Sequence, residues 1–348
     1  MTDPVPDRRP GGTRGAPVTP ADRTRPSPAG DRPGDGHDGH DGYDDRDDRP
    51  VGPGRVVVVG DLVTDVVAVL AAPLATGSDT PATIRFTGGG QAANTAAWLA
   101  DAGVPVTLVG AVGDDEAGRL RVAELTRVGV DCAVTGYDDQ PTGSIVVLAS
   151  GTERTMLTER GANRRLTAGQ VATALAGRPD ARHLHLSGYP LLDPASRDAG
   201  LGALAAARRY GLTTSVDAAS AAPLRQVGAA AFRAWVRDVD LLLVNADEAE
   251  VLAGGTDAAA RARELTATAR HVVVKCGAAG AYWVGPDGTV ISVPARRVDA
   301  VDVTGAGDAF AAGLLTGWLA GAAPAEALAL AGELGARAVS VIGARPTG

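Results

Sequence analysis

The stretch Ala300-Val301-Asp302-Val303-Thr304-Gly305-Ala306-Gly307-Asp308-Ala309-Phe310 decides the fold. An apolar run over 298–303 predicts a strand, two glycines predict a turn, and the apolar pattern that starts at Ala309 predicts a helix. The first amides of such a helix have no internal partners, so the turn attracts an anion. Asp308 places a carboxylate in the same turn, which suits proton transfer beside a phosphate. The alternative is an ordinary strand-to-helix loop in which Asp308 is a charge at the helix start.

Composition limits the classes of partner. The chain has 348 residues and a net charge of −8, which argues against nucleic acid or an anionic membrane as the main partner. Cys132 and Cys276 lie far apart, without the spacing of a metal or redox pair. The sequence contains neither an apolar leader nor a segment of transmembrane length. These features predict a soluble, cytoplasmic protein.

The N-terminal part of the chain differs in composition from the rest. Residues 1–54 are rich in proline, glycine, aspartate and arginine, and they contain almost no large apolar side chains. Such a segment cannot bury enough surface to offset the entropy of ordering, so we predict a disordered acidic tail. From residue 55 to 348, helix and strand patterns alternate, which predicts one α/β domain.

Short β patterns near 71–87 and 143–160 stand apart from this alternation. They predict a small second sheet, which we interpret as a lid. Between and after them, the strand and helix patterns follow one another regularly. Polar or glycine-rich clusters follow several strands, and the carboxyl ends of parallel strands line the ligand crevice of α/β proteins.

One set of clusters suits a polyhydroxy compound. Asp65 follows the first strand, and the glycine cluster over 88–90 opens a helix that carries Asn94 one turn further on. The glycines allow a close backbone approach, while the side-chain oxygens and amide can bind hydroxyls. We therefore predict substrate contacts at Asp65, Gly89, Gly90 and Asn94. A turn or helix-capping role is the alternative for Asp65.

A second set suits a nucleotide and a metal ion. Asn245 and Glu248 lie three residues apart at a strand end, so they share one helix face and suit Mg²⁺ held through water. An asparagine cap followed by an acidic first turn is the alternative. The segment Lys275-Cys276-Gly277-Ala278-Ala279-Gly280 permits close approach to a phosphorylated ligand, although an isolated lysine at a strand end is commonly a surface charge.

Together these clusters provide the groups needed for phosphoryl transfer to a hydroxyl. A base, an anion-stabilising turn, a metal ion and positioning groups are the required parts. The Walker motif Gly-x-x-x-x-Gly-Lys-Ser/Thr is missing from the sequence, so a P-loop enzyme is excluded.

Three motifs resemble those of the ribokinase-like (PfkB-type) carbohydrate kinase family. They are Gly88-Gly89-Gly90-Gln91-Ala92-Ala93-Asn94, Asn245-Ala246-Asp247-Glu248, and the stretch from Asp302 to Phe310. The likeness extends from about Arg55 to the C-terminus. It implies a three-layer α/β/α sandwich with a mostly parallel central sheet and a small β-sheet lid. Gln91 and Ala92 depart from the residues usual in ribokinases, which puts specificity for ribose in doubt.

The resemblance also implies roles for individual residues. Asp308 matches the general base, and Gly305, Ala306 and Gly307 match the backbone anion hole. Asp65, Gly89, Gly90 and Asn94 match sugar contacts. The nucleotide and ion positions are Asn245, Lys275, Gly277 and Gly280 for ATP, Asn245 and Glu248 for Mg²⁺ through water, and Asp302 and Thr304 for a monovalent cation, usually K⁺. Lids in this family often pair, so the resemblance also implies a homodimer.

The expected activity is ATP- and Mg²⁺-dependent phosphorylation of a hydroxyl, preferably a primary one, on a sugar or sugar-like compound. Two alternatives remain open at this point. The first is a nucleoside kinase, because the same fold also serves nucleosides. The second is a catalytically silent sugar-binding regulator, although such a protein needs no base at Asp308.

Overall fold

The structure is a computed structural model that describes residues 54–150 and 153–346. The predicted disordered tail, residues 1–54, therefore lies almost wholly outside the described residues and stays a prediction. No helix within the described ranges is both long and apolar enough to cross a lipid bilayer.

Strands and helices alternate along the described chain. The strands are β1 (Arg55–Val59), β2 (Val63–Leu70), β3 (Ala82–Gly89), β4 (Val106–Gly113), β5 (Asp131–Tyr137), β6 (Thr142–Ser150), β7 (Glu153–Gly161), β8 (Ala181–Ser187), β9 (Thr213–Asp217), β10 (Val239–Asn245), β11 (Ala269–Lys275), β12 (Ala281–Val284) and β13 (Val290–Val293). The α-helices are α1 (Gln91–Asp101), α2 (Glu116–Arg127), α3 (Ala168–Ala176), α4 (Tyr189–Leu192), α5 (Arg197–Arg209), α6 (Ala221–Val227), α7 (Ala229–Trp235), α8 (Ala246–Ala253), α9 (Ala258–Leu265), α10 (Ala306–Leu319) and α11 (Pro324–Val339). Short 3-10 helices cover Ala162–Arg165 and Gly277–Ala279.

A nine-stranded sheet forms the centre, in the order β13-β12-β11-β10-β9-β8-β1-β4-β5. Neighbouring strands from β11 to β5 run parallel, and the β12–β13 hairpin adds two antiparallel strands at one edge. The short apolar runs that fill these strands are typical of a parallel sheet covered on both faces.

Alternation along β1 shows that both faces of this sheet are buried. Val57 and Val59 belong to one apolar core, and Val56 and Val58 belong to another, all without solvent exposure. The first core includes residues of α3, α5, α8 and α9, whereas the second includes residues of α1, α10 and α11. Because successive strand residues point to opposite faces, these two cores are the layers on either side of the sheet. The predicted three-layer α/β/α sandwich with a mostly parallel sheet is confirmed.

A four-stranded sheet, ordered β3-β2-β6-β7, lies apart from the nine-stranded one in its pairing. Two of its strands, β6 and β7, fall in the predicted segment near 143–160, and β3 falls in the segment near 71–87. Its central strand β2, however, was not predicted as a strand. Asp65 therefore lies within this small sheet and not in a loop after β1. The alternation of β2 is hard to detect because valine occupies both faces of the strand.

The structure corrects the predicted strand over 298–303. The last strand, β13, ends at Val293, and residues 294–303 form a loop. Val298, Val301 and Val303 are exposed, so the apolar run does not enter the sheet. An apolar, β-branched sequence favours extended backbone, but a strand also needs a neighbouring strand to pair with.

Candidate active site

The glycine turn lies at the start of α10. Gly305 caps this helix with a φ of 75°, and a side chain there would overlap the backbone of Ala344. Only glycine adopts this left-handed conformation readily and also leaves room for the close contact. The first amides of α10 consequently point away from the helix without internal partners, which is the geometry of an anion-binding site. The predicted anion turn at Gly305, Ala306 and Gly307 therefore lies at a true helix start.

Asp308 lies in the first turn of α10 and is partly buried. Burial raises the pKa of Asp308 to about 7, the carboxylate of Asp217 adds to this, and the hydrogen bond from Asn94 opposes it. That bond runs from Asn94 Nδ2 to Asp308 Oδ2 at 2.9 Å. A carboxyl group with a pKa near neutrality suits a general base, because it changes protonation state easily at physiological pH.

The predicted substrate residues come together on one side of this carboxyl group. Asp65 projects from β2 over Gly89 of the paired strand β3, where a Cβ atom would overlap the Asp65 carboxylate. Burial raises the pKa of Asp65 to about 6. Its Oδ1 is buried and accepts no hydrogen bond from the described residues. Gly90 caps α1, the helix that carries Asn94.

Lys275 lies at the end of β11 and forms an ion pair with Asp217. Its side chain is only 13% exposed, so it is not the surface charge that was the alternative interpretation. Burial alone would lower the pKa of Lys275, but Asp217 and Glu248 outweigh it and raise the pKa. The ammonium is therefore held charged. It lies 3.6 Å from where a Cβ atom of Gly307 would be, beside the anion turn.

Asn245 and Glu248 form a reciprocal cap at the start of α8. The Asn245 side chain accepts from the Glu248 amide at 2.8 Å, and Glu248 accepts from the Asn245 amide at 2.8 Å. The structure thus contains the helix cap that was the alternative interpretation of Asn245 and Glu248. This cap leaves room for a second role, because carboxylate oxygens have further lone pairs. Glu248 is 1% exposed, and burial raises its pKa.

The remaining predicted residues lie in two loops. Gly277 begins the 3-10 turn after β11 and faces open space, whereas Gly280 packs against the backbone after β13. Asp302 Oδ1 accepts from the Thr304 amide at 2.9 Å, and Asp302 Oδ2 accepts from the Gly343 amide at 3.0 Å. The hydrogen bond from Gly343 thus connects the Asp302–Thr304 loop to the C-terminal segment.

The donor atoms of the site limit which metal ion it can hold. Within the ranges that the structure describes, no group of three or more histidine, cysteine, aspartate or glutamate side chains is arranged to hold an ion. Near Lys275 the carboxylates are Asp217, Glu248 and Asp308. One or two carboxylates fit a magnesium ion that keeps most of its waters and arrives with a polyphosphate, as opposed to a resident metal.

Sequence reasoning missed two residues of this site. Asp217 ends β9, where its Oδ1 accepts from Gln91 Nε2 at 3.0 Å. Its place at a strand end was a usable signal. Arg345 was also missed: its Nε donates to Asn94 Oδ1 at 3.1 Å, and its Nη2 donates to the Gly89 carbonyl at 2.9 Å. No motif marks that arginine.

An α/β/α sandwich with a carboxyl group at an anion-binding helix start contains groups that phosphoryl transfer to an alcohol requires. The pfkB family carbohydrate kinase model matches residues 54–347, and the chain belongs to this family. It is a kinase of the sugar and nucleoside class, as the motifs predicted.

The chain is similar to several individual proteins and structures. The chain is 32% identical over 266 residues to the ATP-dependent ribose-1-phosphate kinase of Halopiger xanaduensis, covering 75% of this chain and 83% of that protein. The crystal structure of adenosine kinase from Sinorhizobium meliloti matches with a TM-score of 0.76 at 23% identity, over 85% of this chain and 96% of that one. A fructokinase double mutant from Vibrio cholerae O395, in fructose, ADP and potassium ion bound form, has a TM-score of 0.69 at 25% identity, over 85% of this chain and 95% of that one.

The raised pKa of Asp308 makes the stability of the protein depend on pH. The folded pKa of about 7 exceeds the ordinary value of 3.8, so the acid form is favoured by folding. Ionisation therefore costs stability progressively as pH rises from about 4 to 7. Replacing Asp308→Asn removes this cost, and we expect its stabilising effect to grow over that interval to about 2–4 kcal/mol.

Urea denaturation of wild type and Asp308→Asn at several pH values between 5 and 8 measures this effect. Asp138→Asn makes the same change of side chain at an exposed position and is the matched control. A constant difference for Asp308→Asn would contradict the burial of this carboxyl group.

Proposed function

We propose that the protein catalyses ATP-dependent phosphorylation of a hydroxyl group, preferably a primary one, on a sugar. Asp308 is the general base, the amides of residues 305–307 stabilise the transferring phosphoryl group, and Asp65 and Asn94 hold the sugar. The observation that carries this proposal is the position of Asp308. Asp308 belongs to α10, the helix that begins at the anion turn. It also accepts a hydrogen bond from Asn94, one of the proposed substrate residues.

The proposed base acts by proton transfer. The acceptor hydroxyl donates to Asp308, and the carboxylate takes the proton as the oxygen attacks the γ-phosphorus of ATP. The bond from the γ-phosphorus to the β–γ bridging oxygen breaks in the same step, and ADP leaves with that oxygen. Asn94 Nδ2 donates to Oδ2 of the same carboxyl group and keeps that group in place. Since the base must be ionised, activity is expected to rise with pH through the pKa of about 7.

The groups at the anion turn can stabilise the charge of the transferring phosphoryl group. The first amides of α10 and the Lys275 ammonium both lie at Gly307. A transferring phosphoryl group at this point would meet backbone donors and one fixed positive charge, which lowers the energy of its transition state. The Asp217 carboxylate keeps the ammonium charged and oriented.

Asp65 is the proposed anchor for the sugar. Its buried Oδ1 has unused acceptor capacity among the described residues, and a substrate hydroxyl is a suitable donor. The relative from Halopiger xanaduensis is named as a ribose-1-phosphate kinase, which supports a sugar as the substrate class. A nucleoside remains the competing substrate, and the adenosine kinase likeness concerns the fold.

The nucleotide is proposed to lie over Lys275 and Gly277, near Asn245. When bound with it, Mg²⁺ neutralises charge on the phosphates. Glu248 is the proposed contact to that ion through water, and its burial next to Asp217 favours a nearby positive charge. Gly277 leaves the space above the turn free of side-chain atoms.

The central experiment measures ADP release across pentoses, hexoses, sugar acids, sugar phosphates and nucleosides. Wild type is expected to turn over a sugar, and Asp308→Asn is expected to lower kcat by about 10²–10⁴, because a positioned base is worth that much. Lys275→Met is expected to lower kcat more than it changes the affinity for the sugar.

Three outcomes would contradict the proposal. Turnover of nucleosides alone indicates a nucleoside kinase. Tight sugar binding without turnover indicates a regulator. Equal turnover by wild type and Asp308→Asn shows that another group is the base.

We also propose that the loop at Asp302 and Thr304 binds K⁺. The loop is closed by the Asp302 carboxylate and lies directly before the anion turn, so a cation there would order the turn. The related fructokinase structure is described as potassium ion bound. Activity is expected to be several-fold higher in K⁺ than in Na⁺ at equal ionic strength. Equal rates in both salts, with Asp302→Ala equally active, would contradict this site.

The four-stranded sheet is proposed to act as the lid and to pair with a second copy. The pairing register places Phe86, Val66, Val146 and Leu157 in one apolar row on a single face. Phe86 is 70% exposed and Leu157 is 56% exposed, and an exposed apolar patch on a sheet is typical of an interface.

Phe86→Asp is expected to convert a dimer into a monomer in sedimentation velocity, because a charge in this row opposes burial. Leu120→Asp is the matched control: Leu120 is also exposed, but it lies on α2. A monomeric wild type, or a Phe86→Asp variant that remains dimeric, would exclude pairing through this face.

A further inference from the structure

The C-terminal segment Gly343–Arg345 contacts the site from outside the motifs. Gly343 donates its amide to Asp302 Oδ2 at 3.0 Å, and the Ala344 carbonyl accepts from Trp98 Nε1 at 3.0 Å. The same Ala344 packs against Gly305. Three successive residues thus connect the Asp302–Thr304 loop, the anion turn and helix α1.

Arg345 makes the most specific of these contacts. Its side chain is only 13% exposed, and it donates to Asn94 Oδ1 and to the Gly89 carbonyl. The guanidinium lies where a Cβ atom of Gly88 would be, whereas the Asp65 carboxylate lies where a Cβ atom of Gly89 would be. Successive residues of a strand face opposite sides, so Arg345 lies behind β3 and Asp65 lies in front of it. Arg345 therefore stands outside the substrate side of the sheet.

The Asn94 amide is held between two opposite charges. Its Oδ1 accepts from Arg345, and its Nδ2 donates to Asp308. An arginine can only donate and a carboxylate can only accept, so this orientation of the amide satisfies both neighbours. The reverse orientation would place the NH₂ group against the guanidinium and the carbonyl oxygen against the carboxylate.

We propose that Arg345 is a positioning residue that holds the Asn94 amide in the orientation required to donate to Asp308, and so acts on the base without touching substrate. The inference rests on the proposed role of Asp308. It adds a residue that lies 37 positions beyond Asp308 in the chain and belongs to none of the three motifs.

Several charged groups face Asp308 and set the effect of this contact. Asp217 from the end of β9 and Asp65 from β2 raise its pKa, while Lys275 from the end of β11 and the Asn94 hydrogen bond lower it. Burial raises the pKa of the Tyr189 hydroxyl of α4, and the nearby carboxylates of Asp61, Asp308, Glu248 and Asp217 add to this. Arg345 itself faces Asp65, Glu124 and Arg121. Loss of the donated hydrogen bond therefore raises the pKa of Asp308.

The test is a double-mutant cycle of Arg345→Ala and Asn94→Ala, assayed with the full-length enzyme on the sugar that it phosphorylates. Arg345→Ala is expected to lower kcat about tenfold and to move the acidic limb of the pH profile of kcat to higher pH. KM for ATP is expected to stay unchanged. In the Asn94→Ala background, Arg345→Ala is expected to have an effect of less than about twofold, since the contact through which it acts is gone.

Two further variants separate positioning from folding. Arg345→Gln can still donate to Asn94 Oδ1, so it is expected to restore most of kcat. Arg337→Ala is the matched control, because Arg337 contacts Asp101 and Trp98 on the same helix α1 but does not reach Asn94. It is expected to leave the pH profile unchanged. If Arg345→Ala does not fold, Arg345→Met, which preserves the side-chain volume, takes its place in the cycle.

The inference is overturned if Arg345→Ala lowers kcat by the same factor in the wild-type and Asn94→Ala backgrounds. It is also overturned by an unshifted pH profile in Arg345→Ala. Asp308→Asn separates this inference from the proposed function. An active Asp308→Asn variant refutes the base, whereas an inactive Asp308→Asn variant together with a fully active Arg345→Ala variant refutes only the role of Arg345.

Discussion

Three carboxyl groups interact with the single ammonium group of the chain. Lys275 is the one lysine in the sequence, and Asp217, Glu248 and Asp308 all act on its charge. Burial disfavours the charged forms, whereas the Lys275 ammonium favours ionised Glu248 and Asp308 and the carboxylates favour the charged ammonium. Asp217 makes the direct contact with Lys275, and burial, with a contribution from the Asp217 carboxylate, raises the pKa values of Glu248 and Asp308. The surplus of negative charge favours a site completed by a cation.

The sheet supplies the positions of these groups. Asp217, Asn245 and Lys275 end the neighbouring parallel strands β9, β10 and β11, so their side chains meet at one edge. Helix α10 then brings Asp308 to the same edge from residues far along the chain. Both faces of the sheet are buried, so the strands that carry these groups are packed between two apolar cores. Groups that are held in fixed orientations favour catalysis, because they need not be ordered when substrate binds.

The C-terminal segment also contacts the site. Its backbone contacts the Asp302–Thr304 loop and the glycine turn, and Arg345 contacts the Asn94 amide, which donates to Asp308. Asn94 therefore has two functions in the proposed mechanism: it faces the sugar site and transmits the position of Arg345 to Asp308. A carboxyl group in a hydrogen-bonded chain of this kind is held by several elements at once.

The sequence by itself determined the α/β class, because helix and strand patterns alternate, and the glycine turn at a helix start, because local composition marks it. The roles of Asp308, Asp65, Asn94, Asn245 and Lys275 stay predictions. The sequence also placed Asn245 and Lys275 correctly at strand ends, but not Asp65, which lies within β2. It could not determine β2 as part of the small sheet, nor the loop over 298–303, since both depend on which strand finds a partner. Only the tertiary structure decided that Lys275 pairs with Asp217 and that Arg345 contacts Asn94. These contacts join residues 58 and 251 positions apart, and no local pattern encodes such distances.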